Sequence, residues 1–218
     1  MTRVLAIADE VDEVLYGRTL RTLRPELVLS CGDLPFDYLE YIVTMTNVPL
    51  LFVPGNHDPD LRPRPQPALP APILPPGTEE PPGPRGCLNV DLRVADAAGL
   101  RVAGFGGTPR YHPGPNRYSE RELRSRARRL RRRAAGRRLR DRRPVDMLIA
   151  HAPPLGCGDG DDPAHRGSAA LVDLVRRLGP RFLLHGHVHP YGRRMPDRVL
   201  GSTTVVNVVP FRLLEVPA

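Results

Sequence analysis

Apolar positions along this chain fall into short runs, and each run is stopped by a polar or glycine-rich step. "RVLAIA" runs into Asp9, "LVLSCGD" into Asp33, "PLLFVPGNHD" into His57, "RVAGFGG" closes near Gly106, "DMLIAH" reaches His151 and "RFLLHGHVH" reaches His189. Runs of this length with such boundaries predict strands. A longer period separates several of them. In "ALVDLVRRLG", residues 170–179, Leu171, Leu174, Val175 and Leu178 share one helix face. Over 121–143 a second helix is predicted, opened by Ser119 and Glu122 at capping-box spacing and carrying a narrow apolar stripe of Leu123, Ala127, Leu130 and Ala134. Strands alternating with helices imply a layered α/β fold, whose loops beyond the carboxyl ends of the strands converge on one crevice. The β-branched "TTVVNVVPFRLLEV" supplies the last strands. From Pro59 to Pro84 the density of proline excludes helix or central strand, so this stretch is an extended loop or flap beside the crevice, either an ordered rim or a disordered tether.

Length and composition narrow the picture. At 218 residues, residues 1–218 read as one domain with a substantial core. No run of 18 apolar residues and no leader-like start are apparent, so the expectation is a cytoplasmic protein without a membrane partner. Three cysteines without C-x-x-C spacing suit reduced thiols, and Cys31 reads as packing. The formal net charge is +8, yet all 32 basic residues are Arg and none is Lys, which points to a compositional bias as much as to a phosphate-binding face. The arginine-rich helix is therefore expected as a solvated face, with an anionic partner as the alternative. With aromatic residues at 5% and no nucleic-acid motif, nucleic acid is possible but not favoured.

The chemistry-bearing residues sit at strand ends. Asp9, Asp33, Asn56, His151, His187 and His189 offer carboxylate, amide and imidazole donors, a mixture that suits Mn, Fe, Zn, Co or Ni rather than calcium. Cysteines do not accompany them, which argues against a structural zinc site. Arg110 and Arg166 are candidate phosphate clamps, and His165 is a candidate substrate contact or a plain loop residue. Tyr111, His112 and Tyr118 lie in a loop near the crevice and either meet an aryl or base group or pack the following helix. His185 reads as a buried, hydrogen-bonded core residue. Asn207 closes a turn or supports a ligand.

"GD" at Gly32–Asp33, "GNHD" at 55–58, "HAPP" from His151 and "GHVH" at 186–189, in this order and each after a predicted strand, resemble the calcineurin-like metallophosphoesterase superfamily, and the "HAPPLG…DPAHRG" and "FGGTPRYHPGPNRYSE" stretches resemble a prokaryotic branch of it. The resemblance covers nearly the whole chain and implies a four-layer αββα sandwich with two mixed sheets. It also implies two divalent metal ions, Mn first among them. Asp33 would be the bridging carboxylate. Asn56, His151 and His187 would complete one site, and Asp9 and His189 would hold the other with the histidine of an Asp-x-His motif. His57 would assist the leaving group, and Asp58 would orient its ring or serve as a turn former. The Asp-x-His histidine is replaced by Val11. The Asp9/His189 site is then weakened, completed by water, or completed by a neighbouring carboxylate: Glu10 would point away from Asp9 if the strand continued, although strand geometry need not persist past its end, and Asp12 and Glu13 lie on the following turn. The implied activity is hydrolysis of small phosphate esters, as a phosphodiesterase or phosphatase. A nuclease and a non-catalytic scaffold are the alternatives, and oligomeric state is left open.

Overall fold

The computed structural model describes residues 1–61 and 83–217. The bulk of the proline-rich stretch, 62–82, lies outside the described residues, so the expectation of a flap or tether concerns residues not described here.

The chain begins with β1 (Thr2–Ile7), a 3-10 turn (Glu13–Leu15), α1 (Arg18–Leu23), β2 (Leu27–Ser30), α2 (Phe36–Thr46), β3 (Leu50–Phe52) and β4 (Cys87–Asn89). It continues through β5 (Val94–Ala97), β6 (Leu100–Phe105), the short pair β7 (Thr108–Pro109) and β8 (Arg117–Tyr118), and α3 (Glu120–Asp141). It closes with β9 (Met147–Ala150), α4 (Ala169–Leu178), β10 (Phe182–His185), β11 (Arg198–Leu200), β12 (Thr203–Asn207) and β13 (Phe211–Val216). The strands form two mixed sheets, ordered β13-β1-β2-β3-β4 and β11-β12-β10-β9-β6-β5. Within each, the interior strands are parallel, and antiparallel strands (β13, β11, β5) sit at edges.

Alternation along each strand explains the layering. In β1, Val4 and Ala6 face the second sheet, while Leu5 and Ile7 face the helices on the other side. Leu27, Leu29 and Leu51 of the first sheet meet Val102, Met147, Ile149, Leu184 and Val206 of the second in a core between the sheets. Leu5, Val28, Leu50 and Phe52 pack against Leu20, Tyr38, Leu39 and Ile42 of α1 and α2. Ala103, Phe105, Leu148 and Leu183 pack against α3 and α4. Three apolar layers between helix, sheet, sheet and helix make the αββα sandwich. They also explain the near-continuous apolar runs, because strands covered on both faces have no solvent side.

Helix α3 forms as its sequence predicts. Ser119 Oγ accepts from Glu122 N at 3.3 Å, and the Glu122 carboxylate accepts from Ser119 N at 2.7 Å. Leu123, Ala127, Leu130 and Ala134 are its buried residues. The flank toward β5 and β6 departs from a purely solvated face. Arg126 pairs with Asp91 at 2.7 Å, Arg137 pairs with Asp96, and Arg133 donates to the Leu92 carbonyl. Beneath them the guanidinium of Arg101, 2% exposed, is held by Asp96 and Asp141 and by the Arg143 carbonyl. A buried charge on a strand is tolerable only with such complete pairing.

Candidate metal centre

The parallel strands of both sheets end at one crevice, and there the backbone leaves strand geometry abruptly. Asp9, Asp33 and His187 all adopt left-handed backbone conformations, at φ 61°, 57° and 68°. Non-glycine residues rarely do so, and each costs roughly 1–3 kcal/mol that the surrounding contacts must offset. Those contacts are present. Asp9 N donates to Gly32 O at 3.1 Å, and Asp9 Oδ2 accepts from His187 N at 2.9 Å, which ties the end of β1 to the loop after β10. Asp33 Oδ1 accepts from His57 N at 2.8 Å. Asp58 Oδ2 accepts from both Asp33 N at 3.0 Å and Gly55 N at 2.7 Å. Asn116 braces the same turn by donating to the Gly55 and Asp58 carbonyls. Two glycines are required by proximity: a Cβ at Gly55 would collide with the Asp33 carboxylate, and one at Gly186 with that of Asp9.

The imidazole tautomers follow from their partners. His151, fully buried, has Nδ1 2.7 Å from the Cys31 carbonyl; a carbonyl can only accept, so Nδ1 carries the proton. Its Nε2 then faces Asn56 Oδ1 at 3.0 Å and Asp33 Oδ2 at 3.2 Å. The Asn56 amide is oriented by its Nδ2, which donates to Tyr111 Oη at 3.4 Å. His187 Nε2 donates to the Ala164 carbonyl at 2.7 Å, leaving Nδ1 with its lone pair. Asp9, His151 and His187 each place one donor atom within 4.8 Å of the others. His189 directs Nδ1 to Glu10 Oε1 at 2.7 Å, so its available nitrogen is Nε2.

Electrostatics follow from this crowding. Burial pushes the Asp9 carboxyl up to about 6, against the pull of His151 and the His187 N–H. Burial opposes ionisation of Asp33 as well, but the adjacent His151 and the His57 N–H overcome it and bring the group down to about 2. Burial alone would lower His151, yet Asp33 and Asp9 hold it up at about 9. His187 is driven down to about 3 by burial and by the neighbouring His151 cation. Protein alone thus places a positive charge among Asp9, Asp33 and Asn56.

Residues 5–191 match the family model of the calcineurin-like phosphoesterases. The chain belongs to that family. One solved structure superposes on 94% of this chain and 90% of its own chain, with a TM-score of 0.60 at 17% sequence identity. TT1561 of Thermus thermophilus superposes on 94% of this chain and 88% of its own, with a TM-score of 0.56 at 17% identity. Likeness at that identity establishes the shared fold. No curated protein matches this sequence.

The phosphoesterase fold brings Asp9, Asp33, Asn56, His151 and His187 together by direct contacts. His57 is exposed beside them, with its backbone N–H on Asp33. Asp58 sits as a turn former, and Glu10 lies past the end of its strand. Asp58 spends Oδ2 on two backbone N–H groups, and among the described residues no hydrogen bond joins it to the His57 ring; its carboxylate is needed to clamp two loops. Glu10 turns toward His189 rather than away, because the left-handed turn at Asp9, reinforced by Glu10 N donating to Ala8 O at 2.6 Å, breaks the strand alternation. Arg110 is engaged by Glu122 at 2.9 Å, and Arg166 is exposed. His165 lies with its ring 5.5 Å from that of His187 and its Nδ1 on Asp162 at 2.8 Å. His112 accompanies Tyr111, their rings 4.3 Å apart, and Tyr118 stacks under the Arg126 guanidinium at 4.1 Å. His185 is buried with Nδ1 on the Gly186 carbonyl, and Asn207 donates to the Val188 carbonyl at 2.8 Å, supporting the "GHVH" loop. Sequence reasoning missed Asn116 and the Ala164 carbonyl. A short polar residue inside the proline- and glycine-rich "RYHPGPNRY" was the only available signal for Asn116, and a backbone carbonyl leaves none.

Proposed function

We propose that this protein is a metal-dependent hydrolase of small phosphate esters, a phosphodiesterase or phosphatase, working with two divalent ions. The observation that carries the reading is the convergence of His151 Nε2, Asn56 Oδ1 and Asp33 Oδ2 at 3.0 and 3.2 Å. With one His151 proton committed to Cys31, the proton on Nε2 is the cation that these oxygens share in the protein alone, and a metal ion that displaces it would meet three donors already converged. Asp33, Asn56, His151 and His187 would hold one ion, and Asp9, Asp33 and His189 the other. Bound there, the ions would lower the pKa of a water to near neutrality and withdraw charge from the phosphoryl oxygens. Manganese is the first metal to test, with Fe, Zn, Co and Ni as alternatives.

The chain's own residues account for the remaining work. The Cys31 and Ala164 carbonyls hold the His151 and His187 rings in place, so the nitrogen that each would present to an ion, Nε2 of His151 and Nδ1 of His187, is set in advance. Asp58 fixes the turn that presents Asn56 and His57. His57, exposed at the mouth, would deliver a proton to the departing ester oxygen. Tyr111, braced between Asn56 and Arg117, would border the leaving group.

Glu10 gives the second site a feature suited to the loss of the Asp-x-His histidine. Its carboxylate holds Nδ1 of His189 and stands one residue from Val11. Glu10→Gln should weaken the second ion by about 10–100-fold, the usual size for loss of a carboxylate behind a ligating imidazole. Chelator competition would then find one ion released early and the other retained; release curves identical to the parent protein would remove Glu10 from this role.

Val11 also favours a second reading, a scaffold that keeps the sandwich without turnover. Elemental analysis of protein purified without chelator, paired with hydrolysis of bis(p-nitrophenyl) phosphate and its monoester under added Mn, separates the two. Two ions per chain with turnover supports the hydrolase. One ion or none, without turnover under Mn, Fe, Co or Ni, supports the scaffold.

A further inference from the structure

Helix α3 carries eleven arginines, and the fold divides them. On the flank facing β5 and β6, Arg126, Arg133 and Arg137 are consumed by Asp91, the Leu92 carbonyl and Asp96. The flank facing α4 is different. Arg124, Arg128 and Arg131 line a cleft with Arg177 of α4, about 260 Å³ in volume, and Arg131 and Arg177 continue into a second cleft of about 100 Å³ lined by Arg138. Among the described residues, the only acid within ion-pair distance of these five is Glu120, 3.8 Å from Arg124, and Asp173 is the one carboxylate lining the first cleft. Helix packing needs only the stripe of Leu123, Ala127, Leu130 and Ala134, so this concentration of sparsely paired guanidinium does nothing for the core and raises self-repulsion along the helix.

We infer that the groove between α3 and α4 is a docking surface for the phosphate backbone of duplex DNA. Arg124, Arg128, Arg131 and Arg138 recur at intervals of four, three and seven residues, a row of charges roughly 21 Å long at 1.5 Å per residue. That length spans several successive phosphates of one duplex strand. Planar guanidinium forks suit phosphate oxygens. A duplex is favoured over a single strand because neither helix carries an aromatic residue, and sites for single strands rely on aromatic platforms under unstacked bases. With no amide or carboxamide side chain in the row to read base edges, the contact is independent of sequence. None of the candidate metal ligands lines either cleft, so the groove is a surface separate from them and makes no claim on the hydrolytic substrate.

Fluorescence anisotropy with a labelled 30-base-pair duplex, over a series of salt concentrations, tests this on the full chain. Each phosphate neutralised contributes about −0.9 to the slope of log affinity against log salt. Arg128→Glu/Arg131→Glu/Arg177→Glu should therefore flatten the slope by about 2.7 and weaken binding by at least about 100-fold at low salt. The matched control is Arg18→Glu/Arg21→Glu/Arg24→Glu, which changes charge equally on a basic patch around α1. It should leave affinity within about threefold if direct phosphate contacts rather than net charge govern binding. Equal losses in the two triples, no binding by the parent chain, or tighter binding to the single strand or to duplex RNA would each overturn the inference. Circular dichroism and ester hydrolysis should match the parent in both triples, since none of these residues lies at the metal centre.

Discussion

Asp33→Asn should remove both metal ions and lower kcat/KM for phosphate esters by about 10³-fold or more. Asp33 serves three neighbours here, two of them through its carboxylate. Its Oδ2 lies 3.2 Å from His151 Nε2, its Oδ1 takes the His57 N–H at 2.8 Å, and its backbone N–H is clamped by Asp58 at 3.0 Å. The amide keeps the shape and can still accept from His57, so the turn stays in place. What disappears is the only charge that the two proposed ion sites share. A ligated ion supplies several kcal/mol of charge stabilisation to phosphoryl transfer, and each 1.36 kcal/mol is a factor of ten in rate. Elemental analysis and steady-state kinetics on the same preparation check the prediction. Retention of two ions per chain by Asp33→Asn would dismiss the bridging role. Metal-free stability should also fall near neutral pH, because the substitution takes from the buried His151 cation the carboxylate that holds its proton.

The fold was legible because its signals are local or periodic. Continuous apolar runs in β1, β2, β9 and β10 announce strands covered on both faces. The stripe of Leu123, Ala127, Leu130 and Ala134 announced α3, with its capping box. The residues that converge at the candidate metal centre were legible for a related reason: each follows a strand whose end could be read. The conformations at those ends were not. Left-handed backbone at Asp9, Asp33 and His187 is stabilised by partners far away in sequence, as when His187 N donates to Asp9 Oδ2 across 178 positions. Glu10 shows the consequence. Alternation pointed its side chain away from the site, and the turn at Asp9 carried it to His189. The two flanks of α3 read identically as arginine and separate only when the fold brings Asp91, between β4 and β5, and Asp96 of β5 against one of them.

His57→Ala should lower turnover by about 10²–10⁴-fold while leaving metal content at the parent level. The distinction rests on how His57 is built into the turn. Its contact with the ligand set is through the backbone, N–H to Asp33 Oδ1, which alanine keeps unchanged. Its side chain is exposed, whereas Asn56 beside it is 1% exposed and faces His151. Removing the imidazole therefore leaves the ion sites intact and deprives the leaving oxygen of its proton. The loss should depend on the leaving group. An aryl ester such as p-nitrophenyl departs as a stable anion and needs little protonation, so its hydrolysis should fall toward the small end of the range. An alkyl ester, with a poor leaving group, should fall toward the large end, because general-acid help matters most where charge would otherwise build on oxygen. Equal losses for both ester classes would assign His57 to phosphate binding instead of proton delivery, and a parallel loss of metal would place it among the ligands.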